Sequence, residues 1–146
     1  MNIQFRSFVG QYDWGWVQQQ VPVLRVEDTC GIMAVDLDTN TTVGACIMDN
    51  WTDNSVQCHF MITSPLVLKH GFLDCAYSFI FNDRKCKFIY GMVPSNNDKA
   101  LKLNKHMGFT EKMRMPDAYT DGVDFVIMEL KKDDCKYLTH ELSEVA

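Results

Sequence analysis

The sequence predicts an α+β fold: one domain, residues 1–146, with a central mixed and mostly antiparallel sheet flanked by helices. Three observations support this prediction. The 146 residues, 47% of them hydrophobic, suffice for one core and are too few for two. Apolar residues follow the period of a strand along most of the chain and that of a helix in two stretches. The chain has neither internal repeats nor a linker rich in Pro, Gly or Ser.

Residues 31–63 predict three antiparallel strands. Residues 31–37 and 42–48 are largely apolar or β-branched, and the polar residues between them have turn chemistry, so the two segments form a hairpin. A second polar turn precedes residues 55–63, which alternate in polarity. This alternation predicts two faces. One face carries Val56, Cys58, Phe60 and Ile62, and the opposite face carries Gln57, His59 and Met61.

Two helices with a strand between them follow. From Phe72 the apolar residues take helical spacing, and basic residues follow at the negative end of the helix dipole, which predicts three to four turns. Residues 87–93 return to strand character, and Pro94 ends that strand. Residues 95–97 all suit a helix cap, so a second helix begins there and ends at Gly108.

The sequence predicts the secondary structure near the C-terminus but not that of the N-terminal segment. Asp121-Gly122 separates two strand-like runs, 109–119 and 123–130, and predicts a closing hairpin. Residues 131–146 form a charged C-terminal tail. In the N-terminal segment, residues 1–30, glycine and proline interrupt both the helical and the strand periodicity of the apolar residues. The sequence therefore does not decide between helix and strand there. The recognisable core is therefore 31–130.

Charge and composition exclude several classes of protein. The net charge of −5 is opposite to the excess that phosphate-binding surfaces use, which argues against a nucleic-acid partner. Neither an apolar stretch of membrane-spanning length nor a secretory leader is present, so we expect no membrane and a cytoplasmic location. The six cysteines form no C-x-x-C pair, which disfavours a zinc site and suits reduced thiols in the cytosol.

Two motifs carry a resemblance to a known family. Residues 93–109 contain a strand end, an Asn97-x-x-Ala100 helix and a closing Gly108-Phe109. Gly71 lies six positions after Pro65, the spacing of an acyl-CoA loop. With the order of elements, these features resemble the Gcn5-related N-acetyltransferase (GNAT) family over residues 31–130. The resemblance implies a GNAT-like fold, acetyl-CoA as cosubstrate, and acetyl transfer to an amine of a small molecule or protein.

In that family the acyl-CoA loop directs backbone N–H groups at the CoA pyrophosphate from a helix N-terminus. Here Leu68 stands at the Arg or Gln position of the motif, Gly71 keeps the first glycine, and Leu73 occupies the second small position, where its side chain would obstruct the backbone. Lys69 and His70 could compensate with positive charge. The resemblance implies a cofactor-binding set of Met61, Thr63, Lys69, His70, Gly71 and Asn97.

The family's chemistry is direct attack of an amine on the acetyl thioester, whose carbonyl is polarised by a backbone N–H near the end of the strand at Thr63. A base must take the amine proton. The catalytic candidates are His59, whose imidazole suits a proton acceptor near neutral pH, and Ser95. Each also has a purely structural interpretation. His59 can be a hydrogen-bonded histidine on a sheet face, and Ser95 can be a residue that starts a helix.

The tyrosine that often protonates the leaving thiolate in this family is replaced here by Asn104. Tyr90, Tyr119 and His106 are the possible substitutes. A thiolate leaves without an acid more slowly, so this replacement weakens catalysis without preventing it.

An inactive GNAT-like binding or structural protein is the alternative, suggested by Leu68, Leu73 and Asn104 together. The altered loop also resembles small acetyltransferase-like proteins of tailed bacteriophages, some of them virion components; a homodimer or a protein partner would suit that role. A third hypothesis is an unrelated α+β domain with chance motifs. An active enzyme predicts an open cleft between the strands ending at residues 63 and 93, whereas an inactive scaffold predicts that the two leucines fill it.

Overall fold

The computed structural model describes residues 1–21 and 23–138. Within them the chain forms, in order, β1 (Ile3–Ser7), α1 (Gly10–Gln20), β2 (Cys30–Asp36), β3 (Thr41–Asp49), β4 (Ser55–Ile62), α2 (Phe72–Tyr77), β5 (Phe88–Pro94), α3 (Asp98–His106), β6 (Thr110–Thr120) and β7 (Val123–Lys131). Short 3₁₀ turns occupy Pro65–His70 and Lys132–Asp134.

The strands form a seven-stranded sheet in the order β1-β2-β3-β4-β5-β7-β6. In this part of the chain β4 and β5 are the one parallel pair, and every other neighbouring pair is antiparallel. The predicted mixed, mostly antiparallel sheet with flanking helices is therefore confirmed. The two predicted hairpins are confirmed as well, the second with Asp121-Gly122 as its two-residue turn and Gly122 at φ 79°.

The faces of the sheet carry separate clusters of apolar side chains. Val56 and Cys58 of β4 point into the larger cluster, with Phe72 of α2 and Met107 at the end of α3. Met61 points to the other face, where it packs with Val17 of α1. The alternation predicted for β4 is therefore confirmed, and it decides which of its residues lie on the α1 face.

The helix predicted from Phe72 is present but changes its winding. After Tyr77 the chain continues as a π-helical turn, Ser78–Asp83, in which the Arg84 N–H donates to the Phe79 carbonyl at 2.9 Å. In α3 the Asn97 side chain accepts from the Ala100 N–H at 3.1 Å, and Gly108 adopts φ 105° just after the helix. The predicted cap and terminator are confirmed.

Residues after β7 continue to pack on the domain. The Tyr137 ring lies 5.7 Å from the Tyr77 ring, and its hydroxyl donates to the His106 carbonyl at 3.3 Å. Cys135 and Leu138 also contact the larger cluster. The first residues of the predicted tail thus pack over part of the hydrophobic core. Residues 139–146 lie outside the described residues.

The N-terminal segment, left open by the sequence, supplies β1 and α1. Asp13 of α1 is 3% exposed and accepts from Arg6 of β1 at 2.7 and 2.8 Å and from the Val9 N–H at 2.7 Å. Burial alone would raise the pKa of Asp13, but the Arg6 and Val9 hydrogen bonds outweigh it, and the pKa falls below its ordinary value. This ion pair fastens α1 to the edge of the sheet.

The state of the cysteines and the length of the helices bear on two expectations from the sequence. All six cysteines are free thiols. In the described ranges, 1–21 and 23–138, no helix combines the length and the hydropathy needed to cross a membrane.

We expect Asp13→Asn to lower the free energy of unfolding at pH 7 by about 2–3 kcal/mol, below the range of a fully buried pair because the Arg6 side chain stays 33% exposed. The pKa of Asp13 is lowered by folding, so its contribution is complete above the ordinary Asp pKa and disappears as pH falls through the folded value. Urea unfolding between pH 7 and pH 3 measures the difference. Asp53→Asn, at an exposed turn, is the control and should change stability by less than about 0.5 kcal/mol. A loss in Asp13→Asn that is independent of pH would contradict the account.

Candidate active site

The pairing of β4 with β5 is short. Their register runs over three positions and ends at Gln57 opposite Tyr90. Beyond this pair, β4 stays bonded to β3 and β5 to β7, so the two parallel strands separate. The gap between them opens into a cavity of about 440 Å³.

The cavity is lined from both sides of the sheet. The end of α1 and the following residues contribute on one side, and α3 contributes on the other. The lining includes Gln57, Cys58, His59 and Phe60 of β4, Gly91 and Met92 of β5, Asn97 and Asn104 at α3, Gln20 of α1, and Tyr119 of β6. A ligand in this gap can therefore contact groups on both faces.

Among the described residues, the part of β4 beyond its pairing with β5 presents backbone polar groups without a partner to the gap. The Thr63 N–H and hydroxyl both donate to the Val43 carbonyl, at 3.0 and 2.8 Å, so Thr63 faces β3. Backbone groups alternate along a strand, so Met61 also faces β3, whereas Phe60 and Ile62 face the gap. The N–H groups that face the gap are thus those of Phe60 and Ile62, whereas those of Met61 and Thr63, the residues that the resemblance implied, are directed toward β3.

His59 lies on the α1 face of β4 and lines the cavity. Its Nε2 is 3.0 Å from Oδ2 of Asp49, at the end of β3. The Asp49 side chain is 7% exposed and that of His59 is 23% exposed. His59 is thus both the hydrogen-bonded sheet histidine of the structural interpretation and a wall of the cavity.

A row of polar side chains crosses the sheet beside His59. Register pairs align Asp49 with Gln57, Gln57 with Tyr90, and Tyr90 with Glu129, so all four share the α1 face. Burial raises the pKa of Tyr90, and its hydrogen bond to the buried Glu129 raises it further. A second, more open groove borders this row and shares Gln57 and Met92 with the cavity.

The loop that the resemblance assigns to acyl-CoA leaves its glycine uncovered. Gly71 has φ 85°, and apart from the glycine and its chain neighbours no heavy atom of the described residues lies within 4 Å of the position that a Cβ would take. Leu73 is 2% exposed inside the core, Leu68 packs against the same cluster, and neither lines the cavity. The expected obstruction by Leu73 is therefore wrong, because its side chain points inward. Lys69 and His70 are exposed on the loop, outside the cavity lining.

The remaining predicted residues divide between the cavity and the scaffold. The Ser95 hydroxyl accepts from the Asp124 N–H at 2.8 Å, and Ser95 does not line the cavity, so the structure does not bring it together with His59. Asn97 does line it while capping α3. Asn104 also lines it and donates to the Ala100 carbonyl at 2.9 Å.

The possible substitutes for the missing tyrosine separate in the same way. Tyr119 lines the cavity. Tyr90 lies in the neighbouring groove, and His106 is at the far end of α3 from the Asn97 cap. Cys58 lines the cavity too, but burial and the nearby Cys46 raise its pKa well above the ordinary value, so it is a thiol at neutral pH and a poor nucleophile.

Asp49, Phe60, Ile62 and Glu129 are the site groups that the sequence analysis missed. Asp49 follows an apolar strand and precedes a polar turn, so its type suggests only a turn residue. The signal that could have found it is the register of the β3–β4 hairpin, which places Asp49 opposite Gln57. The edge that Phe60 and Ile62 face depends on the same register.

A scan against protein-family models and a search of curated proteins both give no match. Solved structures do match. Spermidine/spermine N-acetyltransferase SpeG from Vibrio cholerae, in complex with manganese ions, is 14% identical over 89% of this chain and 92% of that chain, with a TM-score of 0.69. A mutant of the Vibrio cholerae spermidine N-acetyltransferase SpeG is 16% identical over 94% of this chain and 97% of that chain, with a TM-score of 0.72. A chimera of the Vibrio cholerae enzyme and hSSAT is 17% identical over 95% of this chain and 100% of that chain, with a TM-score of 0.69. The chain therefore has the fold of these N-acetyltransferases, and the predicted GNAT-like architecture is confirmed.

Proposed function

We propose that this protein is an N-acetyltransferase that moves an acetyl group from acetyl-CoA to an amine. The observation that carries the proposal is the open gap between β4 and β5, with backbone N–H groups on its edge and His59 on its wall. This arrangement can hold a thioester and a nucleophile from opposite faces of one sheet. The spermidine N-acetyltransferases that share the fold support it.

The acyl donor fits the α3 side of the gap. An acetyl-CoA molecule brings an acetyl thioester on a chain that contains amide groups, and the N–H groups of Phe60 and Ile62 can donate to its carbonyl oxygens. Gly71 leaves the loop backbone uncovered for the pyrophosphate, and Lys69 and His70 add positive charge at its surface. We assign Asn97 to the same ligand because it lines the cavity.

His59 takes the proton of the attacking amine. An amine must lose a proton to become an amide, and imidazole accepts protons near neutral pH. Among the described lining residues, the titratable side chains are those of Cys58, His59 and Tyr119, and only an imidazole has the required basicity. Tyr119 is the phenol that can return a proton to the leaving thiolate.

The acceptor that suits this site is a cationic amine. Asp49 and Glu129 place two buried carboxylates on the α1 face, and the chain as a whole carries a net charge of −5. The structural neighbours act on spermidine, so polyamines are the first acceptors to assay. We also assign the protein to a reducing compartment such as the cytoplasm, because its six cysteines are unpaired.

Acetyl-CoA binding is the first test. We expect a Kd in the micromolar range by calorimetric titration and a matching rise in Tm, since a ligand that binds only the native state stabilises it. Gly71→Asp should weaken binding at least about tenfold, because a carboxylate faces the phosphates while Asp tolerates a positive φ.

Gly122→Asp is the matched control for this experiment. Gly122 also has a positive φ, 79°, with open space around it, and it does not line the cavity, so its Kd should equal that of the wild type. Absence of heat and of any Tm shift at millimolar acetyl-CoA would overturn the proposed function.

His59→Gln tests the base. We expect kcat to fall by about 10²–10⁴-fold, since glutamine keeps polarity at the cavity wall but cannot accept the proton. The Kd for acetyl-CoA should stay within about twofold of the wild type, because the loop and the β4 backbone are intact. Steady-state acetylation of a polyamine panel and calorimetry give the two quantities. Equal kcat in variant and wild type would remove His59 from the mechanism.

A further inference from the structure

We propose that Asp49 is a positioning residue that holds His59 with its proton on Nε2, so that Nδ1 is the atom that receives the proton of the acceptor amine. This inference rests on the proposed function for its catalytic meaning. Its structural part, the tautomer of His59, is independent of any activity.

The geometry gives the tautomer. Nε2 of His59 lies 3.0 Å from Oδ2 of Asp49, within hydrogen-bond distance. An ionised carboxylate has no proton to donate, so the imidazole nitrogen must be the donor. In a neutral ring the other nitrogen, Nδ1, then carries the lone pair. Among the hydrogen bonds of the described residues, Nδ1 of His59 has no partner, and the residue lines the cavity.

The burial of Asp49 makes His59 its main partner. The Asp49 side chain is 7% exposed, and besides His59 its carboxylate oxygens contact only the Asn50 side-chain amide, at 3.4 Å, in the described part of the chain. A buried carboxylate with so few donors is strongly attracted to a positive charge on its neighbour. The pair is therefore arranged to stabilise an imidazolium.

The reaction uses this arrangement in one proton transfer. The attacking amine group is neutral: its nitrogen forms a bond to the acetyl carbon, its proton passes to Nδ1 of His59, and the carbon–sulfur bond breaks to release the CoA thiolate. The thiolate takes a proton from Tyr119, and exchange with water returns His59 and Tyr119 to their neutral forms. Acetyl-CoA and amine thus become amide and CoA thiol. During the transfer the ring is cationic, and Asp49 neutralises that charge without touching the substrate.

The groups around the ring single out Asp49. Asp49 of β3 is the charged group in contact with His59, Gln20 at the end of α1 is neutral, and Met92 faces the gap from β5. Tyr90 and its partner Glu129 lie further along the sheet. Asp49 is therefore the neighbour whose removal should release the ring from a single tautomer.

Asp49→Asn is the test, with two readouts. The first is the nitrogen–proton NMR correlation of the His59 ring in the ligand-free protein, which we expect to show a proton on Nε2 in the wild type and a mixture of tautomers in the variant. The second is kinetic: kcat should fall about 10–100-fold, and KM for acetyl-CoA should stay unchanged.

Two further variants keep the test sharp. Asp36→Asn removes a comparably buried carboxylate, which accepts from the Asp38 N–H at 3.0 Å away from the cavity; it should keep the wild-type kcat and the wild-type tautomer of His59. Asp49→Glu retains the carboxylate and should recover part of the lost kcat. If Asp49→Asn does not fold, the tautomer of His59 in the wild type and the kcat of Asp49→Glu test the positioning role instead.

The outcomes separate the two proposals. A proton on Nδ1 in the wild type, or an unchanged tautomer and kcat in Asp49→Asn, would overturn the positioning role while leaving acetyl transfer intact. A wild type that neither binds acetyl-CoA nor acetylates any amine would overturn the proposed function, and the NMR result would still report whether Asp49 holds the ring.

Discussion

The separation of β4 from β5 is the constraint on which the rest of the site depends. Each strand is held by an antiparallel neighbour, β3 or β7, so their mutual pairing can stop after Gln57 and Tyr90 without loss of the sheet. In the described part of the chain this leaves backbone groups without a partner on an inner edge. Such an edge favours a ligand with its own alternating donors and acceptors, and a chain of amides has them. The fold thus creates the candidate site by leaving a pairing incomplete.

Charge on the α1 face distinguishes the site from the scaffold. Asp13 is buried too, but Arg6 neutralises it, and the pair serves to hold α1 in place. Asp49 and Glu129 are instead partnered by an imidazole and a phenol. In the described part of the chain neither has an ion pair with Lys or Arg. Theirs is therefore the charge that the proposed function assigns to a cationic substrate or to a cationic intermediate.

The sequence predicted most of the core and only part of the site, for a physical reason. Alternation within one strand is local information, so it placed His59 and Met61 on the same face correctly. The partner of His59 lies ten residues earlier, and only the register of the hairpin brings it within 3.0 Å. A slip of one residue would move every side chain to the other face, and composition does not determine register. The Arg6–Asp13 pair and the π-helical turn after Tyr77 were missed because they too depend on packing between elements.

The leucines of the loop show why residue type matters at some loop positions and not at others. In an anion-binding loop the ligand contacts backbone N–H groups, and side chains matter only where they would block the approach. Leu68 and Leu73 point into the core, so their bulk adds packing and leaves the outer surface of the loop clear. At Gly71 most side chains would both strain a φ of 85° and cover the backbone. The two leucines thus stand where the fold buries the side chain, and the glycine stands where the backbone conformation favours one.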